Sequence, residues 1–98
     1  MIRNVVLVRL PEGADEATRA RLDAALAGIA ALDLPGQVAN HTGLDVGLRE
    51  GGWTAAIVND WVDEDAYRGY DADPEHNHHR AVLAEVSEQL ARVQYAID

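Results

Sequence analysis

Hydrophobic residues repeat every second position in some segments of this chain and every third or fourth in others. The order of the two patterns restricts the folds open to it. Ile2 to Leu10 alternates as a strand does, with Ile2, Asn4, Val6, Val8 and Leu10 on one side and Arg3, Val5, Leu7 and Arg9 on the other. Pro11, Glu12 and Gly13 make a turn. Asp15 is placed to cap a helix, and Glu16 suits its first turn through the macrodipole. Thr18, Leu22, Ala25, Leu26, Ile29 and Leu32 then recur at helical spacing until Pro35 and Gly36 stop the pattern. Gln37 to Val46 returns to alternation, with Val38, Asn40, Thr42, Leu44 and Val46 on one side. A glycine-rich hairpin connection, Gly47 to Gly52, leads to the most hydrophobic strand, Trp53 to Val62. Asp63 caps a short helix that ends near Tyr70. Asp73 and Pro74 open a last helix, predicted to reach about Leu90 on a stripe of His79, Leu83, Val86, Leu90 and Val93, with Arg92 to Ile97 as a closing strand.

The sequence of elements is β-α-β-β-α-β, with the second helix split in two. That is the ferredoxin-like α+β arrangement: a four-stranded antiparallel sheet with helices on one face and the first and third strands central. A length of 98 residues fits a single domain spanning 1–98. The face of the sheet without helices would carry Val5, Leu7, Ala56, Val58 and Val62, a set too apolar to face water. A second copy packed on that face would cover it, so the pattern predicts a homodimer through the sheet face that closes an α/β barrel.

Composition narrows the function. The net charge is −9, and all eight basic residues are arginine. An acidic surface repels phosphate backbones and anionic lipid heads, which argues against nucleic acid and membrane as partners. The apolar run after Met1 is too short for a signal peptide or a membrane span, so the cytoplasm is the expected location. Without cysteine there is no disulfide, thiolate metal site or thiol nucleophile. Phenylalanine is also absent, and the two tryptophans and three tyrosines stand out against an aliphatic core.

The residues with chemical potential gather around Tyr70-Asp71-Ala72-Asp73-Pro74-Glu75-His76. The segment places a phenol and an imidazole at one helix junction, and these groups suit proton transfer near neutral pH. Helical spacing turns His76, His79, Leu83 and Val86 toward the sheet. The bland alternative is a corner histidine bonded to backbone carbonyls and a tyrosine that plugs the gap between helix and sheet. Asn4 interrupts an apolar strand face, and Asn40 and Asn59 fall on the matching faces of the second and third strands; a buried amide needs a partner, a ligand or water. Trp53 and Trp61 share a face with Ala55, Ile57 and Asn59, as pocket wall or as filler. The candidate catalytic pair is Tyr70 and His76, and the candidate substrate contacts are Asn4, Asn40, Asn59, Trp61 and His79. His76, His78 and His79 do not read as a metal site, because neighbouring helical residues point about 100° apart. No Ser-His-Asp order, phosphate loop or dinucleotide fingerprint is present, and no cofactor is called for.

Ile2 to Leu10, Pro35-Gly36, Gly52-Trp53-Thr54-Ala55, Asp63-Glu64-Asp65-Ala66 and the Tyr70 to His76 segment together resemble the stress-responsive A/B barrel (Dabb) family over nearly the whole chain. The family commonly reads Tyr-x-x-His-Pro-x-His where this chain has Tyr70 to His76. The resemblance implies a homodimeric barrel and, by analogy with a plant polyketide cyclase of the family, a pocket between sheet and helices in which Tyr70 and His76 act as acid and base. This chain has Asp73, Asn4 and Ala55 at three positions where that cyclase has histidine, which sets its particular reaction apart from this sequence. Two readings follow. The first is a small-molecule pocket protein, a cofactor-independent cyclase or isomerase acting on a small apolar or polyketide-like compound through Tyr70 and His76. The second is a non-enzymatic, stress-related structural or interaction dimer. A cavity of a few hundred Å³ is expected under the first reading, and a filled corner under the second.

Overall fold

A computed structural model describes residues 1–98. The elements run β1 (Ile2–Arg9), α1 (Glu16–Ala30), β2 (Gln37–Leu44), β3 (Ala55–Trp61), α2 (Glu64–Ala72), α3 (Pro74–Val86) and β4 (Gln89–Ala96). The sheet order is β2-β3-β1-β4 and every pairing is antiparallel, so β1 and β3 are central as the patterning requires. This is the ferredoxin-like fold. None of its helices is long and apolar enough to cross a membrane.

Each helix begins on an aspartate whose carboxylate accepts from a backbone N–H three residues on: Asp15 from Thr18 at 2.8 Å, Asp63 from Ala66 at 2.9 Å and Asp73 from His76 at 2.9 Å. Each cap satisfies one of the four donors a helix start leaves orphaned. Asp73 has a double role, because its own N–H donates to the Tyr70 carbonyl at 3.1 Å and so ends α2. With Pro74 in the first turn of α3, the chain turns sharply between helices. Tyr70 is thereby fixed in the last turn of α2 and His76 in the first turn of α3.

The main core lies between the sheet and α1 and α3. Val8, Leu22, Ala25, Leu26, Ile29, Ala55, Ile57, Leu83 and Val86 are all buried there. A second cluster of Leu32, Trp61 and Tyr70 sits under α2. On the opposite face of the sheet Leu7 is 37 % exposed, Val62 52 %, Val93 54 % and Tyr95 45 %. Arg3 and Asp60 form a two-point ion pair on that face at 2.8 and 2.9 Å, which holds the Asp60 carboxyl below its usual range.

Three expectations from the sequence need correction. The last helix stops at Val86, not Leu90, and β4 begins at Gln89, not Arg92. Apolar residues at helical spacing fit either element there, and pairing along the full length of β1 decides the outcome: Leu90 lies opposite Val8 and Val93 opposite Val5. Second, Val38 falls at a register shift in β2 and is 52 % exposed, so Gln37 takes the inward place expected for Val38. Gln37 uses it to donate to the Leu32 carbonyl at 2.8 Å. Third, α1 ends at Ala30, and β2 and β3 stop short of Val46 and Trp53.

The turn after α1 rests on Gly36, whose φ of +79° is unfavourable for other residues. A Cβ at this position would lie 2.4 Å from the Cβ of Ala66 on α2. Gly36→Ala is therefore expected to cost about 2–4 kcal/mol, combining backbone strain with a contact neither helix nor turn can relieve. The urea midpoint measures this; an unchanged midpoint would show that α2 is not seated on this turn.

Candidate functional site

One amide from each strand lies in register across the middle of the sheet. Asn4 is opposite Asn59 and Gln94, and Asn40 is opposite Asn59. Gln94 Nε2 donates to Asn4 Oδ1 at 2.8 Å, Asn4 Nδ2 to Asn59 Oδ1 at 3.0 Å, and Asn59 Nδ2 to Asn40 Oδ1 at 3.3 Å. Asn40 Nδ2 then donates to the Ile29 carbonyl at 2.8 Å, in the last turn of α1 where carbonyls lack helical partners. Trp61 Nε1 also donates to Asn59 Oδ1, at 2.9 Å. The three asparagines thus satisfy one another, which is what permits Asn4 and Asn59 to be almost completely buried.

Trp61, Tyr70 and His76 are stacked above this row. The Trp61 and Tyr70 ring centres are 4.7 Å apart, and the Tyr70 and His76 rings stack at 3.8 Å. Burial pushes the Tyr70 phenol up, opposed by the neighbouring Asn59 side chain. Burial pulls the His76 imidazole below its usual 6.5, and Arg80 adds to the effect; the Tyr70 backbone, Asp71 and Asp73 work the other way. The ring is therefore neutral at pH 7. His76 is only 5 % exposed, and its Nδ1 is sealed from solvent with no atom at full hydrogen-bonding geometry. The Tyr70 carbonyl influences the ring without closing that bond. The ring lines a recess.

Asn4, Tyr70 and His76 line one recess, walled also by Val6, Ile57 and Leu83. Its volume is about 30 Å³, room for two or three waters. Tyr67, Asp71, Arg80 and Arg92 form its mouth. Tyr67 also borders an open groove of about 440 Å³ between α2 and the end of β4, with Ile2, Arg68 and Gln94 along it. The recess is an order of magnitude smaller than the cavity of a few hundred Å³ expected of a small-molecule pocket, and the wider groove is lined by none of Asn4, Tyr70 and His76.

Of the sequence candidates, Asn4, Tyr70 and His76 meet at the recess. Asn59 and Asn40 support it from beneath, and Trp61 is fully buried behind Tyr70. None of these three forms its wall. His79 is elsewhere, filling the space beside Gly28 between α1 and α3, where a Cβ on Gly28 would fall 2.2 Å from its ring. His78 meets His79 edge-on at 5.3 Å, and no three His, Asp or Glu side chains gather closely enough to share a metal ion. The sequence reading missed Tyr67, Arg80, Arg92 and Gln94. Arg92 and Gln94 alternate on one face of the predicted closing strand, opposite Val6 and Asn4 of β1, and that shared face was the signal for them.

With this architecture in view, the chain falls in the class of ferredoxin-like α+β proteins whose apolar sheet face is left uncovered by helices. Residues 2–97 match the stress responsive A/B barrel domain, and the chain belongs to that family, Dabb. It is similar to a dimeric ferredoxin-like protein of Thermobifida fusca YX at 29% identity and a TM-score of 0.84, covering 98% of this chain and 90% of that one. A dimeric protein of ferredoxin-like fold from Bacteroides fragilis superimposes with a TM-score of 0.86 at 22% identity, over 98% and 95% of the two chains. A hydroxynitrile lyase from Passiflora edulis shares the fold at a TM-score of 0.76 and 16% identity, over 99% and 93%. No curated protein sequence matches the chain.

The His76 environment gives a pH prediction. Its folded value lies below the ordinary 6.5, so between the two values the unfolded chain holds the extra proton and stability rises with pH. Acidification below about 6.5 destabilises the fold through this ring, and above that value the ring has no effect. His76→Phe keeps a stacked ring and removes the titration. Urea midpoints between about pH 5 and 7 should therefore lose part of their slope in this variant; equal slopes in both proteins would assign the acid sensitivity to other groups.

Proposed function

We propose that this protein is a one-domain, cytoplasmic homodimer that binds a small molecule at the recess and groove, and that it performs cofactor-independent proton-transfer chemistry of the cyclase or isomerase kind. The observation that carries this reading is a buried imidazole, kept below its usual pKa by burial, on the wall of a recess it shares with Asn4 and Tyr70. With a proton on Nδ1, Nε2 keeps a lone pair and takes a proton from carbon next to a carbonyl. The C–H electrons move onto the carbonyl oxygen, and Tyr70, kept protonated by burial, stabilises the enolate by donating its hydroxyl hydrogen. The hydroxynitrile lyase among the structural neighbours supports the idea that this fold can hold an enzyme site.

The second reading, a non-enzymatic structural or interaction dimer, is favoured by the small recess and by an amide row already satisfied within the chain. One experiment separates them. Deuterium exchange into a panel of small enolisable ketones is followed with the wild type and with His76→Gln. The catalytic reading expects exchange on at least one ketone and a drop of at least about 100-fold in the variant, with unfolding free energy changed by no more than about 2 kcal/mol. No exchange above buffer, together with a large stability loss in the variant, would select the structural dimer.

In the proposed dimer, the sheet faces bearing Val5, Leu7, Val58 and Val93 pack against each other. The dimeric Thermobifida fusca relative supports a homodimer, and the apolar residues of this face support the choice of surface. Sedimentation should give twice the chain mass of 10.6 kDa. Leu7→Glu, which places a charge in the middle of that face, should give a folded monomer; a variant that remains dimeric would put the interface elsewhere.

A further inference from the structure

The mouth of the recess has an unusual charge arrangement for such an acidic molecule. The chain has 17 carboxylate residues and eight arginines, so an arginine has ample opportunity to pair. Arg80, on α3, does so with Asp71 at 2.7 Å. Arg92, on β4 and at the same mouth, has no carboxylate within ion-pairing distance and no hydrogen bond from its side chain. It is held on the inner side of β4 because it pairs with Val6 of β1, between Leu90 and Gln94. Burial and the Asp71 carboxylate raise the Tyr67 phenol, and both guanidiniums oppose them. Arg68 lines the adjoining groove, only loosely paired with Glu64 at 3.5 Å. The charged groups around this cleft are thus Arg68, Arg80 and Arg92 against Glu64, Asp71 and the Asp73 carboxylate that acts on His76, a near balance on a molecule of net charge −9, and Arg92 is the one guanidinium among them without a carboxylate partner.

We propose that the cleft selects a small carboxylic acid, with Arg92 binding the carboxylate at the mouth while the adjacent carbons of the ligand enter the recess beside His76. This rests on the small-molecule reading above and names the substrate class for the same site. A guanidinium presents a planar fork that matches a carboxylate, and a charge-assisted pair at a partly enclosed mouth is stronger than one in open water. A monoanion fits better than a phosphate dianion, because Asp71 already neutralises Arg80 and leaves one free positive charge at the mouth. The recess admits only a few atoms past the carboxylate, which points to a short oxo acid with the enolisable carbon one or two bonds away. The groove along Tyr67 and Gln94 is open to any longer substituent.

The test compares acetoacetate, its neutral isostere acetoacetamide, and acetonylphosphonate, titrated into the full-length protein and followed by NMR at the His76 ring and the Arg92 side chain. Acetoacetate is expected to bind at least about tenfold more tightly than the amide, and more tightly than the phosphonate. Arg92→Gln should remove the preference for the acid over the amide, and Arg92→Lys should restore part of it. Arg92 is exposed, so neither variant should move Tm by more than about 2 °C. Equal binding of acid and amide, or a preference that survives Arg92→Gln, overturns the carboxylate inference and leaves the pocket reading standing. Tighter binding of the phosphonate overturns the choice of anion. Failure of all three to perturb His76 at millimolar concentration overturns the inference and the pocket reading together.

Discussion

The row of amides across the sheet is the interaction on which the site depends. Gln94, Asn4, Asn59 and Asn40 come from four different strands and pass hydrogen bonds in one direction until the last donates to the Ile29 carbonyl at the end of α1. A buried amide with no partner costs about 1–3 kcal/mol, whereas each paired bond returns about 0.5–1.5 kcal/mol net. The row is therefore stable only as a set, and only in the observed register. Sliding β1 by one residue would put Asn4 on the opposite face of the sheet and leave Asn59 with the Trp61 indole as its remaining donor. The amides specify strand alignment in a core otherwise made of interchangeable aliphatic side chains.

Above that row, the sharp turn between α2 and α3 sets the chemistry. Because Asp73 closes one helix and caps the next, the junction has little freedom, and the rings of Tyr70 and His76 stack as a consequence of backbone geometry. Trp61 backs Tyr70 and is anchored by its indole N–H to Asn59. The imidazole is pressed into an apolar corner that leaves its Nδ1 without a partner, and desolvation keeps it neutral. The fold satisfies the amides of the sheet row and leaves His76 Nδ1 and the neighbouring Asn77 Oδ1 without partners.

Much of this was legible in the sequence, for identifiable reasons. The aspartate caps, the alternation of β1 and the stripe of α1 are local signals, and they place Tyr70 and His76 together without tertiary information. Asn4 stood out as a polar residue on an apolar face. Its partners were visible as asparagines on matching faces, although the sequence did not show that they bond one another and do not line a wet pocket. The end of α3 was misread because Leu83, Val86 and Leu90 continue a helical stripe, and only the pairing of Leu90 with Val8 shows that the chain has already become a strand. The shift at Val38 has no signature in the sequence, since it depends on Gln37 reaching the Leu32 carbonyl across the turn.

Aromatic side chains are scarce in this protein, and their placement is uneven. With no phenylalanine and only two tryptophans and three tyrosines, Trp61, Tyr67 and Tyr70 are all found at this one corner. The near-ultraviolet absorption and emission of the folded chain consequently arise in large part from the groups that surround the recess. The corner carries its own optical label, and events there register in the intrinsic spectrum with no dye attached and no residue changed.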